Sequence, residues 1–235
     1  MPNRDKLPPC PDPERYTLTR TREGEYWRLK KRLKKPAVLN SRPQGNTELG
    51  KKSSSAGSRI YSALHPFLAD LEPRRIFHKM ITLLRNGFRH DGRLDVSVLR
   101  ELDLQKDYPL RRLIRSGFQW QHDKENHVFR FRIQIPERNG ALLRQSRQMS
   151  SYRFIIILVH GNPEQETTMQ SSSVKSGEYP FAGTGATDEC RLELPYTPQP
   201  GQWLFCLRAE CLETGKVAAH PRSRALLILD GGRWE

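Results

Sequence analysis

The sequence predicts an α+β protein: a small helical N-terminal domain followed by an antiparallel β-sandwich. Three observations carry this expectation. Apolar residues recur at helical spacing between about residues 60 and 104, then at a spacing of two from about residue 117. The alternating segments follow one another with no helical segment between them, which favours antiparallel pairing. Positive charge is concentrated at the front: 15 Lys/Arg stand against 6 Asp/Glu over residues 1–60, 17 against 10 over 61–150, and 8 against 10 over 151–235. The net charge of +14 therefore belongs to the first two thirds of the chain, as in a protein with one part that meets an anionic partner and another that folds as a body.

Residues 1–58 read as a basic, largely flexible arm. Pro2, Pro8, Pro9, Pro11 and Pro13 stand among charges and oppose regular structure. Two β-prone runs, Tyr16–Arg20 and Glu25–Leu29, flank Gly24 and predict a short hairpin within 16–33. The second run continues into Lys30-Lys31-Arg32-Leu33-Lys34-Lys35, and its apolar spacing fits a strand or a helix equally well. Residues 36–58, rich in Pro, Asn, Gly and Ser, read as a linker that turns helical toward its end.

Residues 59–115 read as the helical region. Ile60, Leu64, Phe67, Leu68 and Leu71 fit one helical face, shortened at Pro66. Beyond the break at Asp70–Pro73, Ile76, Phe77, Met80, Ile81, Leu84 and Phe88 form an apolar stripe. Arg75, Lys79, Thr82, Asn86 and Arg89 form the opposite, acid-free face. Two helices joined by a tight break resemble a helix-turn-helix at low resolution. A shorter helix is expected around Ser97–Leu104, and a turn through Arg111–Ile114.

Residues 117–235 read as the sandwich. Phe118 and Trp120, then Phe129, Phe131, Ile133 and Ile135, alternate with polar residues around the loop Asp123–Asn126 and predict a hairpin with one aromatic face. Residues 152–159 are apolar on both faces, as in a central strand. Further strands are expected at Cys190–Leu194, Trp203–Cys211 and Ala225–Leu229, with a long loop over 161–188.

Function is less legible than fold. Arg28, Lys30, Lys31, Arg32, Lys34 and Lys35 place six cations in eight residues beside Tyr26 and Trp27. Dense cations suit phosphates and an aromatic ring can stack on a base, so the block points to nucleic acid, with DNA and RNA not distinguished. A solvated edge strand guarded by lysines and an acidic protein surface are the competing readings. Arg75, Lys79 and Arg89 form the second candidate contact face. His122 and His127 flank a turn carrying Asp123 and Glu125, which reads better as a polar turn than as a metal site. Cys10, Cys190, Cys206 and Cys211 contain no Cys-x-x-Cys pair and read as reduced thiols; if Cys206 and Cys211 share a strand, they face opposite sides. Ala182–Thr187 is Gly-rich but lacks the Gly-Lys-Ser/Thr of a phosphate loop. No catalytic constellation, cofactor motif or metal motif is visible. The Met1–Lys6 segment is not a signal-peptide start, and the longest apolar run, Phe154–Val159, is far too short for a membrane span. The expectation is a non-enzymatic, cytoplasmic protein that binds nucleic acid. The alternative is an assembly protein that docks on an acidic partner.

Several segments, Gly24–Lys30, Pro36–Asn40, Leu64–Leu68, Gly92–Ser97 and Tyr108–Leu113, are similar to a group of bacterial proteins of no known function. In that group a basic helical front precedes a β-rich rear with an Ala-x-His-Pro-Arg-like segment, here Ala219-His220-Pro221-Arg222. The resemblance implies that front and rear belong to one architecture. It implies no activity, cofactor or site.

Overall fold

The computed structural model describes residues 16–21, 24–29, 41–68, 71, 74–88, 92–105, 108–136, 149–165, 169–181 and 187–234. It divides into two compact units, Met1–Gln44 and Gly45–Glu235. In the first unit, β1 (Tyr16–Thr21) pairs antiparallel with β2 (Gly24–Leu29), with Tyr16 opposite Leu29 and Thr21 opposite Gly24. Through Leu29 the basic run is therefore strand rather than helix. Trp27 is half-buried between exposed Tyr26 and Arg28, as the period of two requires.

Helix α1 (Ser41–Leu64) runs into the second unit. It occupies most of the stretch expected to be a linker. Ser53, Ala56, Gly57, Ile60 and Leu64 form its buried stripe at helical spacing, and the Ser53 hydroxyl donates to the Leu49 carbonyl at 2.6 Å. The small residues permit close packing: a Cβ on Gly57 would stand 3.1 Å from Ile81 Cγ1. Ile81 belongs to α2 (Arg74–Asn86), which buries Ile76, Met80 and Leu84.

Two sheets follow. In the larger, β9 (Gln202–Glu213) lies between β5 (Ser151–Gly161) and β11 (Arg224–Arg233). β6 (Gln170–Lys175) and β7 (Tyr179–Pro180) pair with β5, and β10 (Lys216–Val217) pairs with β9. The stretch 161–188 is thus not one loop, because it supplies β6 and β7. In the smaller sheet, β4 (Val128–Ile135) lies between β3 (Phe118–Asp123) and β8 (Asp188–Pro195).

Strand parity sorts the core. Phe129, Phe131 and Ile133 of the smaller sheet share one apolar cluster with Phe154, Ile156, Phe205, Leu207 and Leu227 of the larger. The alternate residues Ile155, Ile157, Leu204, Cys206, Leu226 and Ile228 share a second cluster with Ile60, Leu64, Met80 and Leu84 of the helices. The larger sheet is therefore apolar on both faces, which is why residues 152–159 read as a central strand. Of segment 59–115, expected as a helical region, Ile60 through Leu104 pack on this second face, whereas Leu110, Leu113 and Ile114 join the first cluster. Cys206 and Cys211 fall in opposite clusters, as their spacing predicted. Each fully buried Phe, Leu or Ile contributes about 1.5–3 kcal/mol of transfer free energy.

The outer edge of β11 is covered: Glu101 N and Leu104 N donate to the Ile228 and Leu226 carbonyls at 2.9 and 2.7 Å. A buried ion network joins sheet and helices. Glu210 Oε2 lies 2.7 Å from Arg153 Nε and Nη2, and Oε1 lies 2.6 Å from Arg208 Nε and Nη2. Arg208 Nη1 also donates to the Phe67 carbonyl beyond α1. Mixed α+β architecture is plain in these elements, and no helix among the described residues is long and apolar enough to cross a membrane.

Candidate functional sites

Of the basic block, the described residues are Tyr26, Trp27 and Arg28; Lys30, Lys31, Arg32, Lys34 and Lys35 lie outside the described residues, as does Arg89. Tyr26 is the large hydrophobic side chain that stays exposed among the described residues, at 49%. Its strand position turns the ring away from Trp27, whose side chain is half-buried. On α2 the expected polar face is present: His78, Lys79, Thr82, Arg85 and Asn86 are exposed, and the helix contains no Asp or Glu. Arg75 lies in its first turn. The hairpin and α2 belong to different units, so each is a cationic surface in its own right.

The histidines flanking the β3–β4 turn do meet a common neighbour. His122 Nε2 lies 2.7 Å from the Tyr196 hydroxyl, and the ring centroids of His122 and His127 each lie 5.5 Å from that of Tyr196. His122 also stacks on Phe129 at 4.2 Å. Burial disfavours its charged form and moves its pKa below the ordinary histidine value. Asp123 accepts from Asn126 Nδ2 at 2.8 Å, Asn126 N at 3.0 Å and Arg130 Nη1 at 2.6 Å, which lowers its carboxyl to about 2. This is the capped polar turn that the sequence predicts. No cluster of three or more His, Cys, Asp or Glu side chains among the described residues is arranged to hold a metal ion.

The structure also assembles a site that the sequence does not reveal. A cleft of about 690 Å³ opens at one end of the larger sheet, lined by Arg93, the turn 162–165, the loop 198–201, Gln202, Arg233 and Trp234. Antiparallel register brings these distant segments together: Gly161 at the end of β5 and Arg233 at the end of β11 both pair with Gln202 at the start of β9. The walls are fixed. Gly201 has φ +144°, and a Cβ there would stand 2.6 Å from the Gly161 carbonyl oxygen, so only glycine permits this approach. Arg59 of α1 donates to the Pro163 carbonyl at 2.8 Å, and Glu164 Oε2 accepts from Leu94 N at 3.3 Å. Trp234 stacks on Tyr196 at 4.4 Å, which ties the cleft to the aromatic group around His122.

Gln202 is 2% exposed, and its Oε1 accepts from Val96 N at 2.8 Å. Trp234 Nε1 is shielded from solvent and has no hydrogen-bond partner among the described residues. The signals that could have marked this place are the Pro198-Gln199-Pro200-Gly201 turn and the Gly231-Gly232-Arg233-Trp234 run, but neither states which other turns it meets. No family model, curated protein or solved structure matches the chain.

Proposed function

We propose that this protein is a non-enzymatic nucleic-acid-binding protein of the cell interior, held to the polymer mainly by charge. The basic block Arg28–Lys35 with Tyr26 and Trp27 is one contact. The polar face that the sequence assigns to Arg75, Lys79 and Arg89, of which Lys79 is exposed on α2, is the other. The observation that carries this reading is the segregation of charge: residues 1–150 hold 32 Lys/Arg against 16 Asp/Glu, and the rest of the chain is slightly acidic. The acid-free exposed face of α2 and the exposure of Tyr26 support it. Lysine and arginine clusters without a base-reading motif give affinity rather than sequence specificity. The β-rich part, a sandwich in this reading, serves as scaffold.

The test is fluorescence anisotropy with labelled duplex DNA, single-stranded DNA and an RNA hairpin at low salt. The expected result is binding that Lys30/Lys31/Arg32/Lys34/Lys35→Ala weakens by at least about ten-fold and Lys79/Arg85→Ala weakens by less. Absence of binding to all three probes, or full affinity in the block variant, overturns the proposal. In that case the competing partner is an acidic protein surface. It is sought with nuclease-treated lysate and a chain lacking residues 1–40, a truncation that spares α1.

A further inference from the structure

We propose that β3 is a dimerisation edge. Two copies of this chain pair β3 against β3 about a two-fold axis at Trp120, which joins two three-stranded sheets into one of six strands. The contact uses none of the basic-block or α2 residues, so it goes beyond the polymer-binding reading and stands apart from it.

The first support is an open edge. β3 ends the order β3-β4-β8 of its sheet, and among the described residues its ladder runs to β4 alone. The register with β4 is unbroken from Phe118 to Asp123, with no bulge to turn the edge aside. A terminal strand presents a row of N–H and C=O groups that a further strand can pair, and such edges are ordinarily guarded by Lys, Pro, a bulge or a covering segment. The edge of β11 has such a cover in residues 101–104. Phe118-Gln119-Trp120-Gln121-His122 contains no Lys, Arg, Asp, Glu or Pro. Beside it the surface is hollow: a cavity of about 520 Å³ lies against residues 118–121, Arg130 and Arg132.

The second support is that the strand is complementary to itself. In antiparallel pairing, side chains directly opposite share a face, so each residue meets one of its own parity. With the axis at Trp120, Gln119 meets the partner's Gln121, Phe118 meets the partner's His122, and Trp120 meets the partner's Trp120. Phe118, Trp120 and His122 are the half-buried residues of β3, whereas Gln119 and Gln121 are exposed. Rings therefore face rings on one side and amides face amides on the other, and both kinds of pair are favourable. The core holds the edge in shape: ring centroids of Phe118 and Phe131, and of Trp120 and Phe205, lie 5.8 Å apart. Whichever phase the hydrogen bonds take, this register closes about four to six of them.

The third support is the placing of charge. Arg132 and Arg130 of β4 stand opposite Gln119 and Gln121, one strand back from the edge. In the joined sheet two glutamine columns separate the arginines of the two copies, roughly 14 Å at about 4.8 Å per strand. That exceeds the screening length of about 8 Å at physiological salt. Arg130 is moreover bound to Asp123 at 2.6 Å and to Glu193 at 3.0 Å. The cation beside Gln121 is thus already neutralised, which favours a second, uncharged β3 over an acidic strand as the occupant.

The test is sedimentation velocity on the full chain, freed of nucleic acid with nuclease, at about 0.15 M salt. A short strand seam is a small interface, so a reversible dimer with a dissociation constant of about 1–100 μM is expected. Gln119→Lys/Gln121→Lys changes two exposed positions, which spares the fold, and sets like charges opposite each other in both glutamine pairs. It is expected to raise the dissociation constant about ten-fold. Gln119→Glu/Gln121→Lys sets opposite charges across the same pairs and is expected to return it to within about three-fold of the parent. The block variant Lys30/Lys31/Arg32/Lys34/Lys35→Ala is expected to dimerise as the parent does, whatever happens to polymer binding. A chain that stays monomeric at about 300 μM overturns the proposal and leaves the edge to a strand of another protein. A dimer equally stable in the two charge variants, or unchanged in Gln119→Lys/Gln121→Lys, also overturns it.

Discussion

Replacing Glu210 by alanine removes the carboxylate at the centre of the ion network between sheet and helices. Glu210 and Arg208 are each 4% exposed, and each carboxylate oxygen is shared between two nitrogens of one guanidinium at 2.6–2.7 Å. Arg153 is less buried, with 21% of its side chain exposed, and regains water when its partner is lost. Its share is therefore about 1 kcal/mol or less. Arg208 cannot regain water in place, so the cost falls chiefly there. Breaking a buried pair by deleting one partner costs about 3–5 kcal/mol. Coulomb's law at an effective dielectric of about 20 gives about 4 kcal/mol for charges about 4 Å apart, which agrees. The expected loss in Glu210→Ala is thus about 3–5 kcal/mol, or a fall in thermal midpoint on the order of 10 °C. Urea unfolding followed by tryptophan fluorescence measures it, with an unchanged m-value showing that the native state is otherwise intact. In a Glu210→Leu/Arg208→Met double variant much of the loss is expected to return, because an apolar pair needs no desolvation. A loss under about 1 kcal/mol in Glu210→Ala would refute the argument that this network is buried and coupled.

The other predictions concern the cleft, the aromatic group and the thiols. Gly201→Ala forces a Cβ against the Gly161 backbone at a positive φ and is expected to cost about 1–3 kcal/mol, read by thermal unfolding; no loss would mean the two turns do not touch. His122 has a pKa below 6.5, so the native state binds fewer protons there than the unfolded state does. Its contribution is present above pH 6.5 and is lost as pH falls through the lowered value, and an imidazole NMR titration with a midpoint above 6.5 would contradict this. Asp103 acts in the opposite sense: burial raises its carboxyl to about 6, so its contribution is full below 3.8 and lost as pH rises toward 6. Asp103→Asn is accordingly expected to flatten that part of the stability profile. Cys190, Cys206 and Cys211 are buried, and burial raises each thiol pKa. These three are expected to react with an aromatic disulfide reagent only on unfolding, and rapid native labelling of any of them would contradict the packing.

Strands with strict alternation were legible because period two and one-sided burial coincide in them. Phe129, Phe131, Ile133 and Ile135 face the core, while Arg130, Arg132 and Gln134 do not. The run 152–159 was legible as central for the complementary reason, that both its faces are covered. α1 was obscured because its buried stripe begins with the small residues Ser53, Ala56 and Gly57, which give no apolar periodicity, and because Ser and Gly favour turns in isolation. Their smallness is what lets α2 approach. β6 was obscured because half of Gln170–Lys175 is serine and the segment owes its strand form to pairing with β5, from Ile155 opposite Lys175 to His160 opposite Gln170. The position of the cleft could not be read because register, not local pattern, brings Gly161, Gln202 and Arg233 together. The cationic block was visible from composition alone, since density of charge needs no fold to be seen.

We propose that the front-loaded charge holds a polyanion. The most direct test is the slope of log Kobs against log salt concentration for duplex DNA and for RNA, measured with the parent chain and with Lys30/Lys31/Arg32/Lys34/Lys35→Ala. A steep negative slope is expected in the parent, shallower on duplex DNA by about 4–5 in the five-fold variant if all five cations contact phosphate. An affinity that does not change with salt, or a slope that is the same in both proteins, would contradict it.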